Sequence, residues 1–371
     1  MMEHPSLFVA IIGFLLLLGP LVLLHELGHY SVARLFGVKA EVFSIGFGRE
    51  LAGWTDRRGT RWKLSLMPLG GYVQFAGDMN AVSMPAQEIA SLSATEREQS
   101  FHFKPLWQRA LIVLAGPLAN LVVALVIFAA FNLAYGRIVA EPVIAAFANP
   151  SPARAAGMQI GDRIEAIDGA RISGFEQIRD KVLPFPGETL AIAVLRDGQR
   201  LTINVPVATR IERDSYGNTS RIGLIGIAAG KVHRVRVGPL EAVRLAGSQT
   251  VGVMGTMITG IKQIIVGKRS VDELGGPVKI AQYSGERLTM GWQEFVYFAA
   301  LISINLAFIN LLPIPALDGG HLAFYAVEGL RRKPMDGRSQ ELAFRTGLAL
   351  VLALMVFVTL NDIASLHLFG P

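Results

Sequence analysis

The stretch Leu7-Phe-Val-Ala-Ile-Ile-Gly-Phe-Leu-Leu-Leu-Leu-Gly-Pro-Leu-Val-Leu-Leu24 runs straight into His25-Glu26-Leu27-Gly28-His29. Its first part is 18 residues without a charge, enough to cross ~30 Å of hydrocarbon as a helix. The second part is an H-E-x-x-H pattern. Positions four apart share one helix face, so both imidazoles can bind one Zn²⁺ while Glu26 stands beside the open coordination position as a general base. Three ionisable groups at the end of a membrane span are costly to bury and call for a functional reason. A metal site with hydrolytic chemistry, set at a membrane, is the expectation.

Composition agrees with a membrane setting. Of 371 residues, 51% are apolar and 17% charged, against ~25% charged in an ordinary soluble domain. The chain has no cysteine, which excludes a disulfide scaffold, a thiolate metal site and a Cys nucleophile. Any metal must therefore sit on His, Asp or Glu. Three further uncharged segments follow: Leu111–Tyr135 with 25 residues, Phe295–Leu317 with 23, and Thr346–Asn361 with 16. The last extends upstream past Arg345, whose long side chain can snorkel to the interface. Four spans put the termini on one side of the bilayer.

Basic residues in short loops set orientation. Ser31–Ala110 carries ten Lys and Arg and Asp318–Arg345 five, so both loops are expected in the cytoplasm. The other 20 lie between Gly136 and Glu294, a section long enough to be translocated whatever its charge. Within it, Leu190–Leu195 and Leu201–Val205 alternate around Arg196-Asp-Gly-Gln-Arg200, a hairpin pattern that predicts a small water-soluble domain over about 139–230. The 239–290 region begins amphipathic and glycine-rich; a helix lying at the interface is preferred there, with a fifth span or a packing helix as alternatives. The net charge of +6 is modest, and no nucleic-acid partner is expected.

A catalytic zinc takes three protein ligands and keeps one position for water. The best remaining donor is Asp318, in Asn310-Leu-Leu-Pro-Ile-Pro-Ala-Leu-Asp318-Gly-Gly320. Pro313 and Pro315 interrupt the helix before it, and non-helical backbone at membrane depth is tolerated only inside protein or along a wet cavity. A turn residue or helix cap is its bland alternative. His4, His102, His233, His321 and His367 lack paired spacing and are not expected as ligands; His321 is placed to stand behind Asp318.

These two motifs together resemble the site-2 protease family of intramembrane metalloproteases, its regulator-of-sigma-E protease branch in particular. His25, Glu26 and His29 match the family's zinc helix, and Asp318 matches the aspartate of its N-x-x-P-x-P-x-L-D-G motif. Ala115-Gly-Pro-Leu-Ala-Asn120 resembles the second-span motif, Ser151–Met158 with Gly161-Asp162 the opening of a PDZ domain, and Gly275-Gly-Pro-Val278 a stretch before the third span. The resemblance implies a polytopic α-helical membrane protein of about four transmembrane helices, with a membrane-associated β-hairpin region and one inserted α+β PDZ domain. Its segments would be 1–35 (first span and zinc motif), 36–105 (β region), 106–136 (second span), 139–230 (PDZ domain), 239–290 (interfacial region) and 291–371 (last two spans with the third ligand).

It further implies an intramembrane zinc endopeptidase of the bacterial inner membrane, with active site toward the cytoplasm and PDZ domain outside. Substrates would be single-pass membrane proteins, such as an anti-sigma factor already trimmed outside or a remnant signal peptide. Asn305 or Asn310 would stabilise the oxyanion or hold substrate backbone; an interhelical hydrogen bond is the alternative for each. A transmembrane substrate must be unwound, and an exposed strand edge satisfies its freed backbone by β-addition. Val42–Gly48, Arg61–Leu66 and Gly70-Gly71-Tyr72-Val73-Gln-Phe75 alternate as strands close to the zinc helix and resemble the family's reentrant hairpin, which makes Gly70, Gly71, Tyr72 and Val73 the expected substrate contacts. Ile222–Ile227 is either a carboxylate-binding loop or a core strand. The rival function is a non-catalytic PDZ-containing adaptor with a structural zinc.

Overall fold

The computed structural model describes residues 6–76, 93–213, 219–273, 275–333 and 337–365, so His4 and His367 lie outside the described residues. The longer helices are, in chain order, α1 (Leu7–Leu35), α2 (Leu106–Tyr135), α3 (Pro239–Ile265), α4 (Pro277–Met290), α5 (Trp292–Leu311), α6 (Asp318–Arg331) and α7 (Gly337–Ser365). Contacts divide the chain into two compact units, one chiefly Phe128–Leu274 and the other Glu3–Ile127 with Gly275–Ile363.

Four described helices are long and apolar enough to cross a membrane: Leu7–Leu35, Leu106–Tyr135, Trp292–Leu311 and Ser339–Ala364. The third ends at Leu311 rather than Leu317, because Pro313 and Pro315 cannot continue it. The fourth begins earlier than its uncharged core and takes in the pair Glu341–Arg345, one turn apart on α7. Helix α3 is not among the four; it carries Arg244 and Lys262 and buries the narrow stripe Ala242, Ala246 and Thr250.

In lipid, close packing replaces the hydrophobic effect as the force between helices, and small residues let backbones meet. Helix α1 crosses α4 in this way: a Cβ on Gly13 would fall 2.8 Å from the Ser284 carbonyl carbon, and one on Gly285 2.8 Å from Ala10 Cα. Leu17 and Leu21 of α1 then bury against Phe295 and Ile302 of α5. At the other end of α7, the buried Asp362 carboxylate accepts the Gly276 and Lys279 amides at 3.2 and 3.1 Å, capping α4, with Lys279 Nζ at 3.7 Å.

Between α1 and α2 lie strands β1 (Ala40–Thr55) and β2 (Arg61–Phe75). Each folds back on itself. Gly46 and Gly48 take φ of +90° and +92° and Gly70 takes +119°, bends that glycine adopts freely. The first half of β1 consequently has two partners, Val42 pairing with both Gln74 and Arg61, while Ala52–Thr55 pairs with 61–64. The sheet runs 71–75, 40–45, 61–65, 50–55. Its 71–75 edge has no strand beyond it among the described residues and packs against α1. Phe43 and Val38, fully buried, anchor the sheet, and Trp62 stacks on Phe43 at 4.4 Å.

The other unit holds β3 (Arg137–Ala140), β4 (Ala146–Phe147), β5 (Arg163–Ile167), β6 (Ala170–Arg171), β7 (Thr189–Arg196), β8 (Gln199–Pro206), β9 (Ala208–Arg213), β10 (Thr219–Leu224), β11 (Ile227–Ala228) and β12 (Val232–Val235), with the short helix Phe175–Val182. A four-stranded antiparallel sheet runs β6-β5-β7-β8. The β7–β8 turn is Asp197-Gly198, both at positive φ, which matches the twist of the flanking strands. Ile164, Ile192, Val194 and Val205 fill the core with Ile178 of the short helix. Asp162 is enclosed and paired with Arg196 at 2.7 Å; burial alone would raise its carboxyl, but the guanidinium and the Gln159 amide outweigh that and hold it below the ordinary carboxylate range. Ile222–Ile227 divides between β10 and β11, with Ile225 buried in this core.

Candidate metal centre

Helix α1 carries His25 and His29 one turn apart, both buried, at the end of its apolar run. Asp318 reaches them from the far half of the chain. Past Leu311 the backbone leaves the helix, Ala316 takes a φ of +86°, and Asp318 opens α6. The return is tight: a Cβ on Gly320 would sit 2.7 Å from the Ile314 carbonyl carbon, so the two glycines after Asp318 are needed for the loop to fold onto its own helix.

The three donor groups meet. His25 Nε2 lies 3.2 Å from His29 Nε2, and Asp318 Oδ2 lies 3.2 Å from the first and 3.6 Å from the second. A tetrahedral zinc with ligands at 2.0–2.2 Å has ligand-to-ligand edges of about 3.3 Å, which these separations match. Asp318 Oδ2 is buried with no hydrogen-bond partner, a position a cation would relieve. The His29 ring is also set correctly for a metal. Its Nδ1 lies 2.9 Å from the Ile112 carbonyl, which only accepts, so Nδ1 carries the proton and Nε2 keeps its lone pair toward the cluster. The donor set therefore fits zinc.

Glu26, half-buried, does not join this triad. Its carboxylate sits beside the Val73 amide, and a Cβ on Gly71 would come 3.3 Å from Glu26 Cγ and 2.7 Å from the Ser44 carbonyl oxygen. Gly71 and Val73 thus place this strand edge next to Glu26 of the H-E-x-x-H pattern. Tyr72 instead stacks on Phe47, with Lys63 over its ring at 5.0 Å. Gly70 forms the bend against Phe47. Asn310 donates its amide to the Leu306 carbonyl of its own helix at 3.0 Å, and Asn305 is half-buried on α5. His321, one turn into α6, is held below the ordinary histidine range by burial, against the pull of Asp318.

A family model for Peptidase family M50 matches residues 13–354. The chain belongs to this family. As an M50 peptidase it is a zinc metalloprotease of the site-2 protease class, and its four apolar helices make it a membrane protein. A protein of Agrobacterium fabrum named as a candidate zinc metalloprotease is 44% identical over 362 residues, 96% of each chain. A protein of the same description from Mesorhizobium japonicum is 41% identical over 359 residues, 95% of this chain and 98% of its own. Metalloprotease MmpA of Caulobacter vibrioides is 34% identical over 388 residues, 97% of each.

What steadies the two histidines of this M50 peptidase is not written in the H-E-x-x-H spacing. Ile112, Gly116 and Asn120 form one stripe of α2 at four-residue spacing. Ile112 supplies the carbonyl to His29, Gly116 leaves room for the His29 ring, and Asn120 lies 3.3 Å from His25 Nδ1. Ser303 of α5 donates to the Asn120 carbonyl at 2.8 Å. The visible signal was the spacing of Gly116 and Asn120 within an apolar span, where a polar side chain needs a reason.

Proposed function

We propose that this chain is an intramembrane endopeptidase in which His25, His29 and Asp318 hold the zinc and Glu26 is the general base. The observation that carries the reading is the meeting of two imidazoles and one carboxylate at edge lengths suited to a tetrahedral ion. Bound zinc supplies Lewis acidity, polarising the scissile carbonyl and lowering the pKa of a water. Glu26 accepts that water's proton and returns it to the leaving amine. The substrate, unwound from its helix, adds as a strand along the edge at Gly70, Gly71, Tyr72 and Val73, whose outward-turned backbone groups replace hydrogen bonds its own helix has lost. Asn310 and Asn305 serve as oxyanion or substrate-backbone donors.

The substrates are single-pass membrane proteins cut within their spans in regulated intramembrane proteolysis, as an anti-sigma factor or a remnant signal peptide would be. The chain sits in the bacterial inner membrane with the metal toward the cytoplasm, as a member of the regulator-of-sigma-E branch. Residues 139–230 form a PDZ domain on the outer side that selects substrates by what remains of their outer parts. The segments 1–35, 36–105, 106–136, 239–290 and 291–371 divide the work as zinc helix, strand platform, second span, interfacial region and third-ligand pair.

The test co-expresses a tagged single-span substrate with wild type and with Glu26→Gln. Cleavage in the wild type and none in Glu26→Gln, with zinc content unchanged, is the expected result. Undiminished cleavage by Glu26→Gln removes the proteolytic assignment of this residue.

A further inference from the structure

Asn120 is fully buried in α2, in the same unit as His25, His29, Ser303 and Asp318. Its Nδ2 lies 3.3 Å from His25 Nδ1, while its Oδ1 is buried without a hydrogen-bond partner. An amide NH₂ only donates, so this orientation makes His25 Nδ1 the acceptor and leaves the proton on Nε2, the atom that faces His29 and Asp318. A protonated Nε2 has no lone pair for a metal. A half-turn of the amide exchanges its two ends. Oδ1 then accepts a proton from Nδ1, the orphaned acceptor gains a partner, and Nε2 presents its lone pair to the cluster. One orientation strands a buried oxygen and blocks a ligand; the other gives that oxygen a donor and frees the ligand's lone pair, and turns the amide NH₂ to where the oxygen stood.

We infer that Asn120 is a positioning residue for the metal site, its side-chain oxygen fixing the tautomer and ring plane of His25 as the Ile112 carbonyl does for His29. The inference rests on the reading of His25 as a zinc ligand. The two rings are thus held from one stripe of the second span, four residues apart at Ile112, Gly116 and Asn120, while Ser303 anchors that stripe to α5 through the Asn120 carbonyl. An amide oxygen at this place holds the ring proton on Nδ1 and so leaves the lone pair of the neutral tautomer on Nε2. An outer hydrogen bond of this kind contributes ~10–100-fold to metal affinity.

The experiment uses the full chain in detergent, stripped of metal, and titrates Zn²⁺ against a chromophoric chelator for wild type, Asn120→Asp, Asn120→Leu and His25→Ala. Aspartate keeps an acceptor oxygen and cannot donate; leucine keeps the bulk and does neither. Asn120→Leu is expected to bind zinc ~10–100-fold more weakly, and Asn120→Asp to remain at or above wild-type affinity. Cobalt-loaded samples should show an altered visible spectrum for the leucine chain alone. Wild-type affinity in Asn120→Leu, or equal losses in both variants, overturns the inference. If the leucine chain does not fold, the aspartate chain decides: retained affinity upholds acceptance by Oδ1, and loss refutes it. His25→Ala separates the two levels, since full zinc retention there removes the ligand assignment itself.

Discussion

Replacing Gly116 by alanine puts a methyl group where the His29 imidazole stands. A Cβ at this position would lie 2.5 Å from His29 Cε1 and 2.8 Å from Cδ2, with Nε2 nearer still. Ordinary contact begins at 3.4 Å, so ring and methyl must separate by close to 1 Å. A zinc–nitrogen bond tolerates only ~0.2 Å of displacement from ~2.0–2.1 Å. Helix α2 cannot retreat as a body without breaking the Ile112 bond to His29 at 2.9 Å and opening the contact of Gly28 with the Ala115 carbonyl. Zinc affinity should fall by at least ~100-fold in a chain that still folds, beyond the effect of an outer hydrogen bond. The assay is zinc content after dialysis against a weak chelator, with thermal unfolding of the zinc-free protein as the check on folding. Gly247→Ala is the control, since a Cβ there meets nothing within 4 Å. A Gly116→Ala protein with one tightly held zinc refutes the packing argument.

Other perturbations separate the ligands from the scaffold. Asp318→Ala should lose zinc as fully as His25→Ala, measured by metal analysis, because its Oδ2 closes the triangle of donors. Asp362→Ala should destabilise the membrane unit by about 3–5 kcal/mol, leaving Lys279 buried without its counter-charge and α4 uncapped; denaturation in mixed micelles would read it. Gly71→Val should lower turnover of a tagged substrate while zinc content stays constant, since a side chain there meets the Ser44 carbonyl and Glu26. In the other unit, the depressed Asp162 stabilises the fold fully above the unfolded carboxyl pKa of ~3.9, and that contribution is lost as pH falls through its lower folded value. Arg196→Met should therefore speed amide exchange in β5 and β7 at neutral pH and flatten its acid dependence.

The convergence of His25, His29 and Asp318 into a candidate metal centre was legible in sequence because its chemistry is local: H-E-x-x-H sets two imidazoles on one helix face, and a proline-broken span ending in Asp318 marks where a third donor can arrive. Hydrophobic length likewise marked the four long apolar helices. What spacing could not disclose was anything decided by backbone atoms. The carbonyl of Ile112 carries no side-chain signature, yet it fixes His29. The doubling of β1 and β2 into a single sheet of four strand segments was hidden too, because alternation marks a strand and is silent on its partners; only the glycines at 46, 48 and 70 hinted at bends. Asp362 directly follows the uncharged segment Thr346–Asn361, and its bond to the Gly276 amide at the start of α4 depends on a tertiary contact 86 residues away in sequence.

The two imidazoles are steadied by unlike means, and this gives them unequal vulnerability to mutation. His29 leans on the main chain, which no single substitution deletes, so drift at position 112 can change the side chain freely while the carbonyl stays. His25 leans on a side chain, and one codon change at position 120 removes it. Laboratory selection for impaired variants should accordingly collect lesions at Asn120 and Gly116 and leave Ile112 almost silent.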